Sequence, residues 1–85
     1  MEIRDVLANN LRALRKARHM SQETLADEAD IDRTYISSIE RGVYATSVDV
    51  LDRLAKALGV EASELLSRDR KQNPGDATAQ NSDQS

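Results

Sequence analysis

The chain has 85 residues, enough for one small domain, and it contains no cysteine, which excludes a disulfide framework and a cysteine-based metal site. Its formal net charge is −3, but residues 73–85 carry two acidic side chains and no base, so the rest of the chain is close to −1. No apolar run is long enough to cross a membrane and the first residues lack the apolar core of a signal peptide, so we expect a cytoplasmic protein without a membrane partner.

The first predicted helix covers residues 3–18 and has an aliphatic inner face. Its outer face ends in a basic segment that contains Arg12 and Arg15 and no acidic residue, and such a segment can attract a polyanion although the net charge is negative. His19 follows it, and we expect this residue to end the helix in the left-handed conformation, which histidine tolerates better than most side chains. The residues of the inner face are Ile3, Val6, Leu7, Leu11 and Leu14.

Two short helices joined by a tight corner are predicted next, over residues 21–29 and 32–41. Ser21 and Asp32 are favourable N-caps for them. Only about three residues turn the chain between the two helices, and Asp30 among them can adopt the left-handed conformation at some cost in free energy. Two helices joined by so short a turn form a helix-turn-helix motif.

The second helix of this motif has one apolar and one polar face. Ile36 and Ile39 lie one turn apart, and we expect them to hold the helix against the core. The opposite face carries short polar side chains and arginines, a surface that can enter the DNA major groove and contact base edges. The candidate base-contacting residues are Arg33, Thr34, Ser37 and Ser38.

A fourth and a fifth helix are predicted over residues 47–58 and 61–66. Either Thr46 or Ser47 can cap the fourth, and Asp49 is placed to complete a capping box with Thr46. The apolar stripe of the fourth helix, expected to face the core, comprises Val48, Leu51, Leu54, Ala55 and Leu58. The domain is therefore expected to cover residues 1–67, and the polar residues 68–85 are expected to form a disordered tail.

Four groups of residues, spread over residues 5–67, together resemble the Cro and phage-repressor (Xre-like) helix-turn-helix family. The groups are Leu11-Arg12-x-x-Arg15, Met20-Ser21-Gln22-x-x-Leu25-Ala26, Tyr35-Ile36-Ser37-x-Ile39-Glu40-Arg41-Gly42 and Leu54-Ala55-x-x-Leu58-Gly59-Val60-x-x-x-x-Leu65-Leu66. The resemblance implies an all-α fold, a five-helix lambda-repressor-like DNA-binding domain. Within the family, a chain of this size resembles small controller proteins of restriction–modification systems and small phage or plasmid repressors.

The resemblance also implies roles for individual residues. Arg15 and Glu40 would form a largely buried ion pair that fixes the first helix against the third. Gln22 would bond a DNA phosphate and buttress the recognition helix. Further phosphate contacts are expected from Arg12, Arg41 and Tyr44, although Tyr44 could instead pack at a dimer edge.

The expected function is a sequence-specific transcriptional regulator that binds double-stranded DNA as a homodimer on a pseudo-palindromic operator. In the resembled family the segment corresponding to 59–63 lies on the two-fold axis. The residues expected at the dimer interface are Val50, Val60, Ala62 and Leu65, with Leu66 as the alternative to Leu65. The alternative is an antitoxin-like or adaptor module that binds a protein, which the slightly acidic charge favours.

Catalytic function is not expected, because the sequence has no glycine-rich phosphate loop, no His/Cys cluster and no Ser-His-Asp set. For the same reason we expect no metal and no cofactor. A chain of 85 residues also leaves no room for an effector domain, so no small-molecule effector is expected.

Overall fold

The computed structural model describes residues 2–68, which form five α-helices and no strand. The helices are α1 (Ile3–Ala17), α2 (Gln22–Ala29), α3 (Arg33–Glu40), α4 (Val48–Leu58) and α5 (Ala62–Leu65). The predicted all-α, five-helix fold is confirmed, and each helix begins and ends within one residue of its predicted bounds. The expected disordered tail lies, apart from Arg68, outside the described residues. None of the helices in residues 2–68 is both long and apolar enough to span a membrane.

The ends of the motif helices are fixed by the residues that the sequence indicated. The Ser21 and Asp32 side chains accept hydrogen bonds from backbone N–H groups of the first turns of α2 and α3, at 3.0 and 2.9 Å. His19 and Asp30 both have positive φ, 57° and 59°, and turn the chain after α1 and α2. Asp30 thus gives the helix-turn-helix its tight corner, while His19 turns the chain from α1 towards α2.

The N-cap of α4 differs in part from the prediction. The Ser47 hydroxyl accepts a hydrogen bond from the Val50 N–H at 3.1 Å, so Ser47 caps the helix, and the predicted capping box between Thr46 and Asp49 is wrong. The Thr46 hydroxyl lies 3.4 Å from the Tyr35 hydroxyl instead. The loop before α4 is thereby joined to α3, because Thr46 contacts the Tyr35 side chain.

The core is aliphatic, and every helix contributes to it. Each fully buried leucine or isoleucine stabilises the fold by about 1.5–3 kcal/mol relative to an exposed position. The largest fully buried side chains are Leu11, Leu25, Ile36, Ile39, Leu54, Leu58 and Leu65. As predicted, Ile36 and Ile39 hold α3 against the core and so determine which face of α3 is exposed.

Two aliphatic residues predicted to face the core are exposed. Val48 is 80 % exposed and Ile3 is 43 % exposed. Val48 precedes the buried Leu51 by three residues, which rotates it by about 60° around α4 from Leu51. Both residues lie in the first turn of a helix, where fewer neighbouring side chains cover the inner face.

Side chains from α1 and the residue after it hold the last two helices in place. The buried Asn10 amide donates to the carbonyl oxygens of Leu65 and Ser67 at 3.0 and 2.9 Å, at the C-terminal end of α5 and just beyond it. Arg18 likewise donates to the Leu58 carbonyl at the end of α4. These bonds satisfy carbonyl groups that a helix end leaves without intrahelical partners, so Asn10 fixes the position of α5 and Arg18 that of α4.

Candidate nucleic-acid interface

The four candidate base-contacting residues lie together on the solvent side of α3. Arg33 and Thr34 are exposed in the first turn, and Ser37 and Ser38, one turn further on, are half-buried. The opposite side of α3 is buried through Ile36. The exposed side therefore presents a guanidinium and three hydroxyl groups, all of which can form hydrogen bonds with base edges.

A pair of tyrosines lies beside this face. The rings of Tyr35 and Tyr44 meet edge to face, with centroids 5.4 Å apart and planes at 79°. Both line an open groove of about 590 Å³ that also includes Thr34 and Ser38. Tyr44 is 54 % exposed, as expected for a loop residue. Sequence reasoning did not assign Tyr35 to the site, although its position three residues before Ser38 could have indicated it.

The Glu40 carboxylate joins α3 to α1. It is 3 % exposed and accepts two hydrogen bonds from Arg15, from Nε at 2.6 Å and from Nη2 at 2.9 Å. A third N–H of the same guanidinium donates to the Met20 carbonyl at 2.8 Å. The bidentate geometry fixes distance and orientation together, as in other arginine–carboxylate pairs. The structure thus contains the ion pair that the family resemblance implies.

Two further side chains bind Glu40. The Gln22 amide at the start of α2 donates to the carboxylate at 3.1 Å, so Gln22 buttresses α3. Arg12 donates from Nη2 to the Glu40 backbone carbonyl at 2.6 Å, and its Nε lies 4.0 Å from the carboxylate. Arg12 was expected to contact phosphate, but in the free protein its guanidinium binds the last residue of α3. The three side chains and Glu40 form a network that fixes the C-terminal end of α3.

The network keeps both members of its central pair ionised. Burial raises the pKa of Glu40, but the hydrogen bonds from Arg15 and Gln22 and the nearby positive charges outweigh burial, so this pKa lies below its ordinary value. The hydrogen bond with Glu40 raises the pKa of Arg15 more than burial lowers it. A buried pair of this kind adds little net stability, but removing one partner leaves the other charge uncompensated.

The exposed charged side chains near the motif include Arg41 and three acidic residues of α2. Arg41 is exposed just after α3, with Nη2 3.5 Å from the Ser38 hydroxyl. The exposed acidic residues of α2 follow its first residue, Gln22, and comprise Glu23, Asp27 and Glu28. Backbone N–H groups give the start of α2 a partial positive charge, and Arg41 adds a full positive charge just after α3.

The part of the chain that the structure describes contains no group of three or more His, Asp or Glu side chains that could hold a metal ion. The chemistry that this surface offers is hydrogen bonding and charge, arranged along one exposed helix.

The residues expected at a dimer interface differ in their exposure. Val50, Val60 and Ala62 are half-buried and pack against the core. Leu65 has no exposed surface, so assigning it to an interface is wrong: its side chain belongs to the protomer core. Leu66, which is 37 % exposed, is the leucine of this segment that a partner could reach. Since α5 has only four residues, periodicity could not decide which of the two leucines faces inward.

Comparison with known proteins places the chain in a family. The model of the helix-turn-helix family HTH_3 matches residues 11–65. The control protein C.BamHI from Bacillus amyloliquefaciens is 46 % identical over 65 residues, which cover 75 % of this chain and 80 % of C.BamHI. The crystal structure of the restriction–modification controller protein C.AhdI from Aeromonas hydrophila is 40 % identical and has a TM-score of 0.71, with 73 % of this chain and 94 % of C.AhdI covered.

A further solved structure contains DNA. It is the restriction–modification controller protein C.Esp1396I, crystallised as a tetramer in complex with its natural 35 base-pair operator. It is 28 % identical to this chain and has a TM-score of 0.68, with 79 % of this chain and 99 % of C.Esp1396I covered. The residues that match the family model, 11–65, extend from α1 to the end of α5. The chain therefore belongs to the helix-turn-helix family HTH_3.

Proposed function

We propose that the protein is a sequence-specific transcriptional regulator that binds double-stranded DNA as a homodimer on a pseudo-palindromic operator. The observation that carries the proposal is the exposed face of α3, where Arg33 and hydroxyl side chains lie on a helix fixed by the Glu40 network. A helix held in this way can enter a major groove without rearrangement of its backbone. The similarity to controller proteins, one of them crystallised on its operator, supports the proposal.

In the proposed complex, α3 enters the major groove and the DNA backbone is held on both sides of it. Arg33 and Thr34 contact bases, while Gln22 and Arg41 contact phosphates. Arg12, whose side chain is 43 % exposed, contacts a phosphate in addition to Glu40. A second protomer, related by a two-fold axis, places its own α3 in a half-site about 34 Å away.

Dimerisation compensates for the low charge of each protomer. Phosphate neutralisation supplies much of the affinity of DNA-binding proteins, and a net charge of −3 makes that contribution small. Two linked half-sites bind with a high effective concentration, so two weak contacts give a stable complex. The interface is proposed near the entry to α5, around Val60 and Ala62, with Val50 beside it.

A protein-binding adaptor is the second candidate function, and the negative net charge and the exposed acidic residues of α2 favour it. A gel-shift titration with the DNA upstream of the protein's own gene distinguishes the two functions. We expect a discrete complex that an excess of unrelated DNA does not displace. A shift that unrelated DNA removes equally well, or no shift at all, would favour the adaptor.

Replacing Arg41 with alanine is expected to weaken binding to all DNA sequences alike. It should also lower the slope of log K against log salt by about one per protomer, because one phosphate contact is lost. Arg12→Ala is expected to act in the same direction. Binding isotherms measured at several salt concentrations test this.

The matched control for Arg41→Ala is Lys56→Ala. Lys56 is 77 % exposed on α4, pairs with Asp52 and lies beside the C-terminal end of α2, away from the proposed phosphate contacts. This variant should retain the wild-type slope. An unchanged slope for Arg41→Ala or Arg12→Ala would remove that residue from the interface.

A further inference from the structure

The Glu40 carboxylate, at the end of α3, is approached by side chains from both other helices of the network. Arg15 of α1 donates to its two oxygens, and Gln22, the first residue of α2, donates from Nε2 to Oε1 at 3.1 Å. Nε of Arg12, also on α1, lies 4.0 Å from the same oxygen. Glu40 therefore contacts two of the side chains that are proposed to bind phosphate.

The four side chains of the network carry one surplus positive charge. Arg15 is 11 % exposed, and its two hydrogen bonds compensate the charge of Glu40, which is 3 % exposed. Arg12 is 43 % exposed, so it is the cation of the network that a further anion can reach. Since Arg15 already balances Glu40, Arg12 can bind a phosphate without leaving an uncompensated charge in the protein.

Contacts with Glu40 also determine the direction in which Gln22 and Arg12 offer their remaining N–H groups. A side-chain amide has two N–H groups in one plane, so a hydrogen bond from one of them to Glu40 fixes the direction of the other. A guanidinium is planar and has five N–H groups, and Arg12 directs its Nε and Nη2 atoms towards Glu40. Gln22 is half-buried and Arg12 is exposed, so the N–H groups that face away from Glu40 can reach a group outside the protein.

We infer that Glu40 is a positioning residue for DNA binding: its carboxylate holds the Gln22 amide and the Arg12 guanidinium in the orientation from which both contact the DNA backbone. The inference rests on the proposed DNA-binding function and gives a role in it to a buried acidic residue that does not touch DNA. Holding the two side chains in advance raises affinity, because they lose less conformational entropy when DNA binds.

Charge alone and positioning predict opposite effects when the carboxylate is removed. Glu40→Gln removes one negative charge from each protomer, and this by itself strengthens the attraction to DNA. However, glutamine has one acceptor oxygen instead of two, and the charged Arg15 guanidinium binds that oxygen, so Gln22 loses its partner. Arg12 loses the nearby negative charge at the same time. Positioning therefore predicts weaker binding by a more positive protein.

Binding titrations of the full-length chain on a preferred duplex and on scrambled DNA test the inference. We expect Glu40→Gln to lower the affinity for both at least about fivefold, because one hydrogen bond changes an equilibrium by about two- to tenfold and each protomer has two such contacts. The ratio of the two affinities should not change, since backbone contacts carry no sequence information. Glu28→Gln removes the same charge from an exposed position of α2 and is the matched control, which should not weaken binding.

A double-mutant cycle with Gln22→Ala separates positioning from a general loss of structure. In the wild-type background, Gln22→Ala should weaken binding at least about threefold, as for a lost hydrogen bond. In the Glu40→Gln background, the same change should have less than about a twofold further effect, because contacts that act as a unit are not additive. All titrations are made at a temperature at which circular dichroism shows every variant to be folded.

Glu40→Asp is a second variant that retains the negative charge beside Arg15. Its side chain is shorter by one methylene group, so the carboxylate is withdrawn from Gln22 while the buried guanidinium keeps a compensating charge. This variant should also bind both duplexes more weakly, with the ratio of the two affinities unchanged. It carries the test if Glu40→Gln is not folded at any usable temperature.

The outcomes separate the positioning role from the proposed function. Unchanged or tighter binding by the folded Glu40 variants, or additive losses in the cycle, would overturn the positioning role and leave the DNA-binding function in place. A loss confined to the preferred duplex would do the same, because it would show that Glu40 acts through the placement of α3. A wild-type chain that binds neither duplex would overturn both.

Discussion

Glu40→Gln is expected to lower the free energy of unfolding by about 3 kcal/mol, because the change leaves the Arg15 guanidinium buried without a compensating charge. The side chains of this pair are 11 % and 3 % exposed, so water cannot readily replace the lost carboxylate. Urea unfolding followed by circular dichroism at neutral pH measures the loss. Glu28→Gln, at an exposed position of α2, is the matched control and should change stability by less than about 0.5 kcal/mol. A loss as small as this for Glu40→Gln would contradict the buried pair.

The Arg15–Glu40 pair also predicts how the difference in unfolding free energy between the wild type and Glu40→Gln depends on pH. The pKa of Glu40 is lower in the folded chain than its ordinary value, so its contribution is fully present above the unfolded-state pKa and is lost as the pH falls through the folded-state value. The difference between the wild type and Glu40→Gln should therefore shrink at acidic pH, below about 4. A difference that stays constant over this range would show that the ionised carboxylate is not responsible.

Arg33→Ala is expected to cost about 1–3 kcal/mol of binding free energy and to relax base preference at one position in each half-site. Arg33 is the first residue of α3 and its side chain is exposed. A guanidinium can donate two hydrogen bonds to guanine, one to O6 and one to N7. Titrations with a preferred site and with single-base variants of it measure the change. Arg53→Ala is the control, because Arg53 lies on α4 and contacts the Asp30 carbonyl at 3.4 Å. Equal losses on preferred and scrambled DNA would make Arg33 a phosphate contact instead.

Local sequence signals located the helices and most of their ends, but the capping box predicted for α4 was wrong. Aliphatic spacing indicated the first and fourth helices most clearly, and the caps Ser21 and Asp32 act through hydrogen bonds within one turn. The helical spacing of aliphatic residues placed Val48 in the core, whereas its side chain is exposed. The same spacing could not decide whether Leu65 or Leu66 is the buried leucine. Periodicity gives the direction of a side chain around its own helix, whereas exposure also depends on how far the neighbouring helices extend.

Contacts between residues that are far apart in the sequence could not be predicted from local patterns alone. Arg15 and Glu40 are 25 residues apart, so their pairing followed from family resemblance and not from spacing. The bond from Arg12 to the Glu40 carbonyl was not expected, because any exposed basic residue near a helix end is an equally plausible phosphate contact. The buried hydrogen bonds of Asn10 could have been anticipated from the sequence. Asn10 follows Leu7 by three residues and therefore falls on the buried face of α1, where a polar group requires a partner.

The central claim is that α3 of each protomer in a homodimer recognises a specific DNA sequence. Selection of bound duplexes from a random double-stranded library, at near-physiological salt, tests it directly, since a random library contains every possible half-site. We predict enrichment of a pseudo-palindrome whose half-sites are about 10 base pairs apart from centre to centre, one turn of DNA. Arg33→Ala should lose preference at one position in each half-site. Recovery of unenriched sequences by the wild-type protein would contradict sequence-specific recognition, and enrichment of a single unpaired half-site would contradict the dimer.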